Sequence, residues 1–474
     1  MSNPCLRWLF LSLMMAMFSA AAEDVTVKVR RSPLLPVETK AEKSDRMAWW
    51  EEARFGMFIH FGLYALPARH EWVKYIERIS DEDYTKKYFT RFDPDLFDAK
   101  AWVRAAKAAG MKYMVLTTKH HEGFCLWDSK YTDYKITKTP FGRDLVREFA
   151  DACHAEGMRL GFYYSLLDWH HPHCLADRHN PMRPKEEYMM SVEECAAALA
   201  KLNVGRNMDI YRQYMKDQIT ELLTEYGKVD LLFYDFTYEH PNYLVGKDWD
   251  SEGLLALTRK LQPGIIVNDR LGLRNVEGGW DIDTPEQISV PKCPTFNGED
   301  VYWEVCQTFS GSWGYARDEE TWKDPRQLIT MLVDCVSKKG NLLLNVGPTS
   351  RGEFDSRAAE RLNALGRWMH ANGRSIYGCT AAPTGIVAPE GTKLTYNSKT
   401  NRLYLHLLDY PVKILPISFA DRIDYAQFLH DGSELKIELP RTVSNEIRTD
   451  MPASLHLPVR RPNVEVPVVE LFLK

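Results

Sequence analysis

Asp235 closes the stretch Val229-Asp-Leu-Leu-Phe-Tyr-Asp235, in which four large apolar residues separate two acids. The run is too apolar for a loop and reads as a buried strand that delivers a carboxylate at its far end. Comparable runs end on His60 ("FIHFG"), Lys119-His120-His121 ("LTTKHHEGF"), Tyr163-Tyr164 ("FYYS") and Asn268-Asp269-Arg270 ("IVNDRLG"). Glu71, Glu286 and Glu304 add carboxylates in "HEW", "DTPEQ" and "YWEVC". Each residue alone has a plainer reading. A strand-end Asp more often caps the next helix than attacks a substrate, His60 could be a hydrogen-bonded core histidine, and Asp269 with Arg270 could be a structural ion pair. Gathered at one rim, they make a polar pocket instead. Two carboxylates in an aromatic-lined pocket suit glycoside hydrolysis, one attacking the anomeric carbon and the other protonating the leaving oxygen. No G-x-S-x-G elbow points to a serine hydrolase. The nearest metal-like tract, "HHPHC" at 170–174, has no partner acids at helical spacing and reads as a loop lining a subsite; no metal or cofactor is expected.

The elements that must position these groups alternate. Short apolar runs at 55–61, 113–117, 159–165, 229–234, 264–268 and 341–346 read as strands. Amphipathic stretches at 99–109, 145–156, 210–226, 252–261 and 325–337 read as helices. The strands are apolar on both faces, as in a parallel sheet covered by helices. Strand-then-helix repetition predicts an α/β fold with a (β/α)8-like barrel, whose strand C-termini carry the active site. A doubly wound sheet is the alternative, but no G-x-G-x-x-G or P-loop supports a nucleotide fold. The expected division is a leader at 1–22, a lead-in at 23–46, the catalytic barrel at 47–376 and a C-terminal antiparallel β-sandwich at 377–474, where short segments alternate around turns.

Composition narrows the partners. The 474 residues carry a formal net charge of −5, which argues against nucleic-acid binding, and no segment approaches membrane-spanning length. Aromatics reach 12%, with 13 Trp, enough for stacking on the flat apolar faces of sugars as well as for a large core. Arg7, an apolar run over 8–18 and Ser19-Ala-Ala-Ala22 read as a secretory signal cut near Ala22, so a periplasmic or secreted protein is expected. The other eight of the nine cysteines form no C-x-x-C pair and read mostly as small buried hydrophobes, with room for a bridge or two in an exported chain. A homo-oligomer is left open.

The blocks "GMFIHFGLYALPARHEW", "YMVLTTKHHEGFCLWDS", "GFYYSLLDW", "VDLLFYD", "DTPEQ" and "YWEVCQTFSGSWGY" run in this order between about residues 49 and 376. They resemble glycoside hydrolase family 29, the α-L-fucosidases. The resemblance implies a (β/α)-type barrel with a C-terminal β-sandwich, no metal, and removal of terminal α-L-fucose from fucosylated oligosaccharides or glycoconjugates. It further implies retention through a covalent fucosyl-enzyme. On the matched positions, Asp235 is the nucleophile, and His60, His120, His121, Glu71 and Arg270 hold the sugar, with Trp72 beside Glu71. Trp313 covers the apolar C6 side. The tyrosine of "YYS" is taken as Tyr164, with Tyr163 as alternative, and the acid/base as Glu286, with Glu304 as alternative. One departure stands out. Phe233 takes the place of a more usual Trp, and Phe236 stands where the family usually has Gly. The added bulk narrows or reshapes the pocket, leaving open a fucose-like substrate such as a galactoside, or a catalytically inactive fucose-binding protein.

Overall fold

The computed structural model describes residues 26–183, 190–439 and 453–474, together with the backbone of a short pairing of Thr442–Val443 with Glu446–Ile447. The predicted leader and its cleavage point near Ala22 lie outside the described residues.

The lead-in gives way to a helix at Lys40–Ala53, earlier than the expected boundary, because Thr39 and Glu42 form a reciprocal capping box. Eight parallel strands follow: β1 (Phe55–Ile59), β2 (Tyr113–Lys119), β3 (Arg159–Ser165), β4 (Leu231–Asp235), β5 (Ile266–Val267), β6 (Ile282–Asp283), β7 (Tyr302–Thr308) and β8 (Asn341–Val346). Their spatial order is 5-4-3-2-1-8-7-6. A single bridge, Asn268 to Ile282, joins β5 to β6 and closes the (β/α)8-like barrel. β6 and β7 were not among the expected strands: β6 is only two residues long, and β7 interleaves its apolar residues with Glu304, Gln307 and Thr308.

The expected helices appear as Ala99–Ala108, Leu145–Ala155, Met208–Thr224, Ser251–Leu261 and Pro325–Val336. Asp98, Asp144 and Asp324 cap three of them by accepting a backbone N–H. Two cores result. Alternate strand residues, among them Phe58, Tyr163, Leu231, Phe233, Cys306 and Leu343, fill the barrel interior. The others, such as Tyr164, Leu232 and Leu344, pack outward under the helices.

After the helix Ser356–Asn372, the chain forms a five-stranded and a three-stranded antiparallel sheet that share an apolar core containing Leu405, Leu455 and Leu471. This is the expected sandwich. No disulfide joins the eight described cysteines, seven of which are buried. No helix among the described residues is long and apolar enough to cross a membrane.

Candidate active site

Asp235 is the last residue of β4, and its side chain reaches the C-terminal mouth of the barrel. The carboxylate is gripped from two sides, by Tyr163 on β3 and by Arg270 in the loop after β5. The Tyr163 hydroxyl donates to Oδ2 at 2.8 Å, and Arg270 donates from Nη1 to Oδ1 at 2.8 Å. Arg270 extends its second nitrogen to Glu286 Oε2, 2.9 Å away. One guanidinium thus lies between Asp235 and Glu286. It also rests 5.1 Å over the Phe233 ring and donates to the Thr284 carbonyl at 3.1 Å.

Burial raises the Glu286 carboxyl above its ordinary range; Arg270 opposes this, while Asp235 and Glu71 add to it. The site therefore holds one carboxylate that accepts two strong hydrogen bonds and one that retains its proton more readily, the division of labour required for nucleophile and acid.

The histidines are neutral acceptors. Burial pushes His60 down to about 3 and holds His120 and His121 well below their usual range. Neighbouring groups assign the tautomers of two of them. The Asn345 amide donates to the Trp313 carbonyl, so its oxygen receives the His60 Nδ1–H at 2.6 Å. The Ser165 hydroxyl donates to the Leu167 carbonyl and so accepts from His121 Nδ1 at 2.7 Å. Both Nε2 lone pairs are left to accept from hydroxyl groups, and that of His121 faces Asp235 Oδ2 at 3.9 Å. The His120 ring lies tilted 4.0 Å from that of His121 and edge-on 5.7 Å from that of His60, and it stacks on the Tyr163 ring at 5.9 Å.

An aromatic wall completes the pocket. Trp313 lies 5.1 Å from the His60 ring, and Trp72 lies 5.1 Å from that of His121. Glu71, buried, staples the Trp313 loop in place: its Oε2 accepts from the Gly314 N–H at 2.8 Å and from the Ser312 hydroxyl at 3.3 Å. A side chain at Gly314 would meet the Tyr64 ring within 2.8 Å, so this close approach requires glycine. Phe236, directly after Asp235, has φ of 87°, a conformation costly for a residue with a Cβ. Its ring is buried against His121 and His179, each at 4.7 Å, and against Tyr238 at 5.1 Å.

The profile of the alpha-L-fucosidase family matches residues 24–374, most of the chain. The chain belongs to the alpha-L-fucosidase family. The tissue alpha-L-fucosidase of Bos taurus is 32% identical over 387 residues, 77% of this chain and 75% of that protein. Among solved structures, alpha-L-fucosidase isoenzyme 1 from Paenibacillus thiaminolyticus superposes with a TM-score of 0.81 at 42% identity, covering 91% of this chain and 99% of that one. A family 29 alpha-L-fucosidase from Bacteroides thetaiotaomicron, trapped as a covalent intermediate, superposes with a TM-score of 0.73 at 25% identity, covering 96% and 100% of the two chains. This enzyme is therefore a glycoside hydrolase.

Within this fucosidase fold, two expected residues are not brought to the pocket. Tyr164 points outward from β3, where its hydroxyl donates to Gln218 at 2.8 Å and receives the Lys119 ammonium at 3.0 Å. Successive strand residues face opposite sides, so Tyr163 is the one that reaches Asp235. Glu304 does face the barrel interior, but from the wrong height. It pairs in register with Asn341, the first residue of β8, and its Oε2 takes hydrogen bonds from the Tyr113 hydroxyl and, at 3.3 Å, from Trp50 Nε1. Tyr113 opens β2, and Trp50 lies on the helix before β1, so Glu304 sits at the N-terminal end of the barrel, away from Asp235. The remaining predicted residues, His60, Glu71, Trp72, His120, His121, Phe233, Asp235, Arg270, Glu286 and Trp313, all line or floor the mouth. Sequence reasoning missed Asn345 and Ser165, which set the imidazole tautomers. Ser165 ends, and Asn345 is the last residue but one of, an apolar run already read as a strand, and extending the strand-end rule to such positions would have found them.

The "HHPHC" loop holds no metal set. His170 stacks on Tyr134 at 3.8 Å, His171 packs 4.4 Å from Tyr214, and Cys174 is buried. Among the described residues, no group of three potential ligands could hold an ion.

Proposed function

We propose that this fucosidase is a retaining exo-enzyme that releases terminal α-L-fucose by double displacement. The observation that carries the reading is the single Arg270 guanidinium shared by Asp235 and Glu286 at the mouth of the barrel. Asp235 attacks C1 of the fucosyl unit and displaces the aglycone oxygen, which takes the Glu286 proton. Glu286, now ionised, removes a proton from water, which attacks C1 and frees Asp235. Burial, which favours the protonated form of Glu286, prepares the first step, and Arg270 stabilises the ionised form for the second. The trapped covalent intermediate of the Bacteroides relative supports the same course here. His60 and His121 present Nε2 acceptors to the sugar hydroxyls, and Trp313 offers an apolar face to the C6 methyl. A galactoside would place its extra hydroxyl against that face.

The test is hydrolysis of a chromogenic α-L-fucoside by the wild type and by Asp235→Ala, followed by azide rescue. Loss of turnover, restored as a β-fucosyl azide, is expected. An α-azide product, or an unimpaired variant, would remove Asp235 as nucleophile. We also propose export of the chain, on the strength of the 1–22 leader pattern. N-terminal sequencing of protein from the native host should begin near Glu23.

A further inference from the structure

Asp269 stands between two residues of the "NDR" run and takes no part in the chemistry above, yet it is deeply engaged. β5 and β6 are two residues each, and one bridge joins them. Above that bridge the ladder stops, and the chain on either side carries the reactive groups: Arg270 after β5 and Glu286 after β6. A side chain takes over where the ladder ends. Asp269 Oδ1 accepts the Thr284 hydroxyl at 2.7 Å and the Thr284 backbone N–H at 3.2 Å. Thr284 in turn holds Arg270, accepting from Nε on its hydroxyl at 3.3 Å and from Nη2 on its carbonyl at 3.1 Å. On the other side, Arg274 clamps Asp269 Oδ2 at 2.5 Å and Asp283 at 2.6 Å.

We propose that Asp269 is a positioning residue which splices the β5 and β6 loops and, through Thr284, fixes how Arg270 is shared between nucleophile and acid. The inference rests on the double-displacement reading above. The geometry makes the coupling directional. Without the Thr284 hydroxyl, Arg270 loses its Nε anchor, keeps Asp235, Glu286 and the Thr284 carbonyl as partners, and settles more closely on Glu286. That stabilises the ionised carboxylate and weakens the acid. Glu286 is also faced by Glu71 and lies beside Cys306 and Tyr238, neither of which supplies a competing cation.

The experiment compares Asp269→Asn and Thr284→Val with the wild type on two fucosides. One has a dinitrophenol leaving group that needs no proton; the other is a fucosylated disaccharide whose alcohol does. Expected is a loss in kcat/KM of about 10–100-fold on the disaccharide, part of the usual general-acid contribution, with far less loss on the activated substrate. The basic limb of the pH profile should move to lower pH, and the double variant should lose no more than the worse single one. Equal losses on both substrates with an unmoved profile would overturn the proposal, leaving Asp269 a structural residue only. Should Asp269→Asn melt too early to assay, Thr284→Val, which keeps the backbone contacts, decides alone. A wild type that turns over neither fucoside would remove the reaction itself, and this role with it.

Discussion

Glu304 makes the sharpest claim about charge in this molecule. It is fully buried, Oε1 has no hydrogen-bond partner among the described residues, and no cation is near enough to count among the influences on it. Burial pushes its carboxyl up to about 7 from an ordinary 4.5. A carboxyl raised in the folded state binds its proton there over a range in which the unfolded chain has already released it. Stability therefore falls as pH rises from the unfolded value through the folded one. The gap of 7 − 4.5 = 2.5 units, at roughly 1.4 kcal/mol per unit, amounts to about 3 kcal/mol over the whole window. Glu304→Gln keeps the shape and an acceptor oxygen for Tyr113 and Trp50 but removes the titration. Urea unfolding of both proteins at about pH 5 and about pH 8 should show the wild type losing about 2–3 kcal/mol more than the variant between the two. Comparing the two proteins cancels the similar contributions of Glu122 and Asp177, also buried and raised to about 7. The variant should keep its activity on substrates that need an acid. An identical pH response in both proteins would show that Glu304 is not held neutral. Selective loss of activity on poor leaving groups would refute its placement away from the chemistry.

Tyr163→Phe removes a hydrogen bond to the nucleophile, worth about 1.5–3 kcal/mol for a charged acceptor, and should cut kcat/KM by about 10–100-fold. Tyr164→Phe, outside the barrel, should lower the melting temperature while leaving the rate near that of the wild type. Phe236→Gly relieves a backbone strain of about 1–3 kcal/mol but deletes a buried ring whose loss costs about 3–5 kcal/mol, so melting should fall. The same variant should gain activity on branched fucosides relative to an aryl fucoside; an unchanged ratio would show that the ring does not shape the pocket. Histidine NMR of the free enzyme should show the His60, His120 and His121 rings neutral at about pH 5, where an ordinary imidazole is charged; a charged ring at His60 would contradict its burial against Asn345.

Much of the site was legible because strand ends are a local feature. Asp235, His60, the His120-His121 pair and Arg270 each terminate or follow an apolar run, and parallel strands in a barrel deliver their ends to one face. The helices were legible through their amphipathic spacing. The choice between Tyr163 and Tyr164 was not. Both faces of a covered parallel strand are apolar, so the alternation that would separate inside from outside is absent from the sequence, and only the ladder to β4 decides it. Glu286 and Glu304 were separable only by height along the barrel, which depends on strand register. Glu304 faces inward like Cys306, two residues on, yet lies level with the first residue of β8. Asp269 drew its role from the weak seam between β5 and β6, a closure that forms only when the two ends of the sheet meet. The sequence by itself determined which residue types reach the mouth of the barrel. Tertiary structure decided which of them touch, because contact across a closed barrel depends on register and parity, and neither is encoded in any one strand.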